Sequence, residues 1–370
     1  MKILVINSNA MFEDSKGLYI YKETGKFLNE LNHVFQIENF HYKRPFNGND
    51  AMANYNLKET QIQLTALKIR KSKVLSYVVA YTTGLKRLMS NDFLYLFYPN
   101  SFFLLGFAAV ILRKPFGLYV RGEKGISSWP STFLFKRAAF IATVSPRFTN
   151  NTKPFCDQSY TIKPMMGFGA GDIVTDRTYE AKPVLRFLFI GRVERDKGIY
   201  ELIEAFDKLL ESGITNFVVD VAGEGADMEA VKQMLQGSVL ADKVILHGPV
   251  YDKDRIRDFY LQADVFLLPT HHEGFPRVLY EAMIFGTPII TTFVGSISYV
   301  MKDQENCYEI QPKNGADLYA KMLPFFNNYK KHAQVAVNGT ATIKRYLEEN
   351  SKSHLDIVLD EVKMISNGKA

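Results

Sequence analysis

Cysteine is nearly absent from this chain: Cys156 and Cys307 are the only two in 370 residues. They lie far apart with no metal-ligand spacing, which excludes a disulfide framework and a zinc set and suits a reducing compartment. Long hydrophobic runs are also missing. Phe93 to Leu112 comes nearest, but Pro99-Asn100-Ser101 divides it and Arg113-Lys114-Pro115 ends it. The pieces read as a buried strand over Phe93 to Tyr98, a core helix over Ser101 to Leu112 and a strand over Phe116 to Val120. Each falls short of the roughly 20 residues a spanning helix needs. The opening Met1-Lys2-Ile3-Leu4-Val5-Ile6-Asn7 is too short for a signal-peptide core and reads as a first strand. There is no internal repeat, no low-complexity tract, no paired-Asp element that demands a metal, and no recognised nucleic-acid motif. A cytoplasmic protein without metal or organic cofactor is the expectation.

What is present suits a large α/β protein. A chain of 370 residues with 47% apolar and 23% charged content is an ordinary globular composition, and too long for one core. Apolar strands alternate with helical patterns in both halves, the signature of parallel sheets wound on both faces. A tract from about Ile162 to Lys182, rich in Gly, Met and polar residues, separates them. Residues 1–165 and 172–348 are therefore expected to form two domains. A last amphipathic helix carries Leu355, Val358, Leu359, Val362 and Ile365.

Two segments carry the chemistry. In the first, Asp264-Val265-Phe266-Leu267-Leu268-Pro269 reads as a buried strand that leads into His272-Glu273-Gly274-Phe275-Pro276-Arg277-Val278-Leu279-Tyr280-Glu281. Pro276 marks a helix start, where unpaired N–H groups and the helix dipole favour an anion. Glu273 and Glu281 bracket that anion and can bind hydroxyls on either side of it. Hydroxyls, then phosphate, then hydroxyls describe a nucleotide sugar. In the second, Leu188-Phe189-Ile190-Gly191-Arg192-Val193-Glu194-Arg195-Asp196-Lys197-Gly198 again runs from strand through charged loop to helix. Arg192 offers a rigid fork and Lys197 a flexible point charge for phosphate oxygens. The plain alternative is a surface ion pair, Arg192 with Glu194 or Asp196 with Lys197. In open α/β sheets the loops at the carboxyl ends of strands line the ligand crevice, so both loops belong on one edge of one sheet.

At these residues the chain resembles the retaining glycosyltransferases of family 4. Glu273 and Glu281 match the family's Glu-x7-Glu element, and Gly191, Arg192, Lys197 and Gly198 match its phosphate loop. Val221-Ala222-Gly223-Glu224-Gly225 and Val244-Ile245-Leu246-His247-Gly248-Pro249-Val250 resemble its intervening strand ends. The resemblance is specific from about Phe187 to Val300 and organisational before that. It implies the GT-B fold, two Rossmann-like domains facing a central cleft, with the last helix (about 351–370) returning to the first domain. It implies transfer of a hexose-type sugar from a nucleoside diphosphate to a glycan or lipid-linked hydroxyl, with retention, in a setting such as surface polysaccharide synthesis. Arg192, Lys197 and Glu273 would then be catalytic. The donor would be held by Gly17, Gly191, Gly223, Gly248, Val250, Gly274, Phe275, Pro276, Val278 and Glu281, with Glu281 on the ribose and the base near Gly248 to Val250. Gly17 reads as the opening of a helix with Ile20, Phe27, Leu28 and Leu31 on one face. Arg121 stands where the family often has His, and with Glu123 and His272 is assigned to the sugar or acceptor side. Rival readings are a sugar phosphorylase or nucleotide-sugar epimerase of the same architecture, and a sugar-binding subunit without turnover.

Charge is uneven. Residues 1–170 hold 22 Lys+Arg against 10 Asp+Glu, and the remainder 23 against 29. The densest basic stretch, Lys68 to Arg87, is interleaved with Tyr and aliphatic residues. An anionic membrane surface suits such a stretch. Nucleic acid is not expected, and a solvated helix face is the plain alternative.

Overall fold

The computed structural model describes residues 1–7, 10–45, 53–122, 125–163, 167–273, 276–349 and 352–368. The chain divides into two compact units, Met1–Met165 with Lys352–Ala370, and Met166–Ser351.

The first unit is built on strand Phe93–Tyr98, whose six residues are all buried, as expected of a strand covered on both faces. Parallel partners Lys2–Ile6 and Phe116–Val120 flank it, followed outward by Gln36–Pro45 on one side and by Phe140–Thr143 and Ser159–Thr161 on the other. Helices Lys73–Ser90, Leu104–Ile111 and Trp129–Phe135 bury Ala80, Leu88, Leu105, Ala109 and Leu134 on one sheet face. Helices Lys22–Asn32 and His354–Ser366 bury Phe27, Leu31, Ile357 and Val362 on the other. Among the described residues no helix is long and apolar enough to cross a membrane. The apolar tract is a strand and an eight-residue helix, yet Leu104 and Ile111 face solvent, so the helix is only half a core element.

One expectation fails here. The residues around Gly17 do not open a helix. Met11–Glu13 and Leu18–Ile20 pair as an antiparallel hairpin and the helix begins at Lys22. Gly17 sits in the turn, its N–H donating to Asp14 Oδ1 at 2.7 Å, and a Cβ there would lie 2.5 Å from Asn56 Oδ1. Helical spacing from Ile20 to Phe27 was accidental: Ile20 reaches the same core from the strand.

The terminal helix is fixed by a buried histidine. Ser353 and Asp356 form a capping box at its start. The His354 ring stacks on Phe27 at 4.2 Å and lies 4.0 Å from Tyr119, while the Tyr95 hydroxyl and Nε2 share a hydrogen bond of 2.5 Å. Burial, and secondarily the nearby Arg121 charge, hold His354 down to about 3 from its ordinary 6.5. The unfolded chain therefore takes up a proton between those values that the folded chain refuses. His354's contribution is complete above pH 6.5 and is lost as pH falls. Linkage puts the loss between pH 7 and pH 5 at ~2 kcal/mol. His354→Phe is expected to flatten that part of the pH–stability curve in urea unfolding. An undiminished slope from pH 7 to pH 5 would place its source elsewhere.

The second unit is a six-stranded, all-parallel sheet. Its order is Val244–Gly248, Phe217–Ala222, Leu185–Ile190, Val265–Leu268, Ile289–Thr292, Tyr308–Ile310. The chain lays strands outward from Leu185–Ile190, returns, and continues on the other side from Val265–Leu268. These two adjacent central strands are the point where strand order reverses, and ligands of open α/β sheets bind beyond the carboxyl ends of such a pair.

Candidate functional site

Both charged loops leave the sheet at that reversal. The loop after Leu185–Ile190 ends in a short 3-10 turn, Arg195–Lys197, and Gly198 then starts helix Ile199–Glu211. The loop after Val265–Leu268 ends at Pro276, which caps helix Arg277–Ile284. They are stitched together at close range. The His271 N–H donates to the Asp196 carbonyl at 2.8 Å, and the Thr270 hydroxyl reaches the same oxygen at 3.2 Å. Thr292 in turn holds the Thr270 carbonyl at 2.7 Å.

That stitching brings Lys197 to Glu273. The ammonium donates to Glu273 Oε1 and reaches the His272 carbonyl at 3.4 Å. Their side chains are only 12% and 19% exposed, so water screens the pair weakly. Arg192 does not join them: its guanidinium turns to Glu194, and its side chain is 57% exposed. Of the two surface pairs the sequence left open, this one forms, whereas Lys197 takes Glu273 rather than Asp196 as its partner.

Three glycines close the neighbouring strand ends. The Gly191 N–H donates to the Ala222 carbonyl at 3.1 Å and the Gly223 N–H to the Gly248 carbonyl at 2.8 Å. Gly223 has φ of 151°, and a Cβ on it would lie 1.8 Å from the Gly191 oxygen. No other residue fits that approach. Val250, just after Gly248, and Val278, in the first turn of helix Arg277–Ile284, are half-buried.

Glu281 lies one turn into its helix and is largely enclosed. Tyr260, wholly buried, donates its hydroxyl to Glu281 Oε2 at 3.0 Å, with the Val278 carbonyl at 3.3 Å. Burial pushes the Glu281 pKa up, and the Tyr260 hydrogen bond, then the Arg277 charge, pull it back. Tyr260 has no signal in the sequence, because its helix and that of Glu281 are joined only by folding. The sequence likewise points to His272 rather than His271. The structure buries His271, its Nε2 3.1 Å from Glu201 Oε1, and leaves the His272 side chain exposed. Alternation along the loop gave no way to choose between neighbouring histidines.

Gly17 and Arg121 belong to the first unit. Arg121 follows strand Phe116–Val120, and its guanidinium lies over the Tyr119 and Phe97 rings at 5.6 and 6.0 Å. Glu123, Gly274 and Phe275 lie outside the described residues. Among the described residues no group of three or more His, Cys, Asp or Glu converges as a metal site.

Two parallel-sheet α/β units, the second with its charged loops at the strand-order reversal, have the architecture of the GT-B fold. Residues 177–342, somewhat under half of the chain, match the family described as glycosyl transferases group 1. It is 34% identical over 131 residues to TuaC of Bacillus subtilis, a glycosyltransferase named for teichuronic acid biosynthesis, covering 35% of this chain and 30% of that one. It is 26% identical over 296 residues to CapM of Staphylococcus aureus, a capsular polysaccharide biosynthesis glycosyltransferase, covering 73% and 74%. The crystal structure of HepE from Anabaena in complex with UDP-glucose superposes with a TM-score of 0.66 over 99% of this chain and 100% of that one, at 14% identity. The chain spans between 30% and 42% of the length of the first curated relatives it matches.

Proposed function

We propose that this protein is a retaining glycosyltransferase that moves a hexose-type sugar from a nucleoside diphosphate to a hydroxyl of a glycan or lipid-linked acceptor, in the synthesis of a surface polysaccharide on the cytoplasmic side. The observation that carries the reading is the meeting of Lys197 with Glu273 at the reversal of strand order. The names of TuaC and CapM and the UDP-glucose held by HepE support it.

In this reading the anomeric C–O bond breaks with its electron pair passing to the diphosphate. The acceptor hydroxyl attacks from the same face, and its proton goes to the leaving phosphate oxygen. Lys197, Arg192 released from Glu194, and the backbone N–H groups that open helix Arg277–Ile284 meet the growing negative charge. Glu273 holds sugar hydroxyls, Glu281 the ribose, and the turn Gly248 to Val250 the base. Glu273 and Glu281 serve opposite ends of the donor, so they do not form the close carboxylate pair of a double displacement. Gly17, Arg121, Glu123 and His272 are assigned to the donor phosphates, the sugar and the acceptor.

The test is incubation with UDP-, GDP- and ADP-sugars, with and without hydroxyl acceptors, reading nucleoside diphosphate release and the anomeric configuration of the product by proton NMR. Acceptor-dependent release with retention is expected. Phosphate-dependent release indicates a phosphorylase instead, and binding without turnover a carrier subunit.

Tyr260→Phe separates the ribose assignment from fold integrity. Without the hydroxyl, Glu281 loses a charge-assisted bond of roughly 1.5–3 kcal/mol and holds its proton more tightly. Nucleotide affinity in isothermal titration should fall by about tenfold. Wild-type affinity would remove the Tyr260–Glu281 pair from nucleotide binding.

A further inference from the structure

Helix Lys73–Ser90 is held to the first unit by a narrow stripe of mostly small residues, Ser76, Ala80, Gly84 and Leu88. Gly84 lets it settle so closely that a Cβ there would lie 2.7 Å from Leu105. Most of its circumference is therefore left outside, and that outside is apolar. Val74, Val78, Leu85 and Met89 fall within about 60° of one another around the helix and are all exposed, Val74 by 74%. The neighbouring helix Leu104–Ile111 adds Leu104 and Ile111, the latter 80% exposed, and Trp129, the chain's single tryptophan, is 70% exposed next to Phe107. A solvated helix face would carry charge at these places.

The charges that do occur there are of one sign. From Thr60 to Asn91 the chain has Lys68, Arg70, Lys71, Lys73, Lys86 and Arg87 and no acidic residue. Lys71 and Lys73 stand exposed at the helix start, with no acidic residue in its first turn. The helix dipole disfavours cations at that end, so they weaken the helix they flank. A negatively charged surface outside the molecule would offset that cost. A second copy of the chain, packed about a two-fold axis, would set lysine against lysine. Nucleic acid offers nothing for Val74, Val78, Leu85 and Met89 to bury against.

We propose that this face docks the first unit on an anionic lipid bilayer. Val74, Val78, Leu85, Met89, Ile111 and Trp129 enter the interfacial layer, and Lys71, Lys73 and Lys86 lie among the headgroups. The face goes beyond the transferase reading and stands without it, because vesicle binding is measured with no donor or acceptor present.

The single tryptophan makes the test direct. The full chain is mixed with phosphatidylcholine vesicles, with and without phosphatidylglycerol, at physiological ionic strength. Expected are co-sedimentation with the anionic vesicles only, a blue shift of Trp129 emission, and quenching by bromine-labelled lipid. Lys71→Gln with Lys73→Gln should weaken binding about 25-fold, taking roughly 5-fold for each cation. Val78→Glu with Met89→Glu should abolish the blue shift, with the melting temperature unchanged because both side chains face solvent. Absence of binding to anionic vesicles, or equal binding to neutral ones, would overturn the proposal. A dimer that the glutamate variant splits, with vesicle binding intact, would assign the face to a second copy and overturn it too.

Discussion

Lys197→Ala is expected to lower kcat by a factor of roughly 100–1000, the range for losing one donor aimed at developing charge, while donor affinity falls far less. The reason lies in its partner. Lys197 and Glu273 neutralise one another across the two loops, mostly shielded from solvent. In the proposed reaction, once a pyrophosphate is beside the pair, Lys197 is the cation that can shift toward charge as it grows, leaving Glu273 to the sugar hydroxyls. Alanine removes that cation and leaves a carboxylate next to the leaving group, which adds repulsion to the loss. It also orphans a partly buried charge, so stability falls as well. The double variant Lys197→Ala with Glu273→Gln separates the two effects: melting temperature should recover and kcat should not. Steady-state kinetics on the three forms decides it. An unchanged kcat in Lys197→Ala would exclude it from the bond-breaking step.

The pairing also shows how far the sequence could be read. Strand–loop–helix order and the charged loops at Gly191 to Gly198 and His272 to Glu281 were legible, because apolar periodicity and helix-start residues are local signals. The placement of both loops on one sheet edge followed from a rule about parallel sheets, and the strand order from Val244–Gly248 to Tyr308–Ile310 supplies its basis. Partner choice was not legible. Arg192 goes to Glu194, two residues away, and Lys197 to Glu273, seventy-six residues away. Both were charged residues in one loop, and only the approach of Asp196 to His271 turns Lys197 inward. The hairpin around Gly17 escapes the sequence for a similar reason. Leu18 and Ile20 alternate as a strand, but three residues are too few to outweigh the helical spacing that follows. Tyr260 and His354 were invisible as contacts, since their partners Glu281 and Tyr95 lie on other elements.

Gly198→Ala carries a large structural effect at the junction of the two loops. Gly198 has φ of +77° and starts helix Ile199–Glu211, so any side chain there is strained by about 1–2 kcal/mol. The larger part is steric. An alanine Cβ would lie 2.0 Å from the Pro269 carbonyl oxygen and 2.6 Å from its carbon. Both are backbone atoms at the root of the Glu273 loop, and neither can swing aside as a side chain does. Relief requires the two loops to part, which breaks the Asp196–His271 and Lys197–Glu273 contacts together. Overpacking of that kind adds about 1–3 kcal/mol. Gly213 provides the internal reference: its φ is +82°, and a Cβ there meets nothing within 4 Å. Gly213→Ala should thus cost only the conformational part, about 1–2 kcal/mol. In urea denaturation Gly198→Ala should exceed it clearly, and transfer activity should fall with it while Gly213→Ala stays near wild type. Equal destabilisation of the two would mean that the loops are free to separate at Gly198, and the close approach that delivers Lys197 to Glu273 would lose its structural cause.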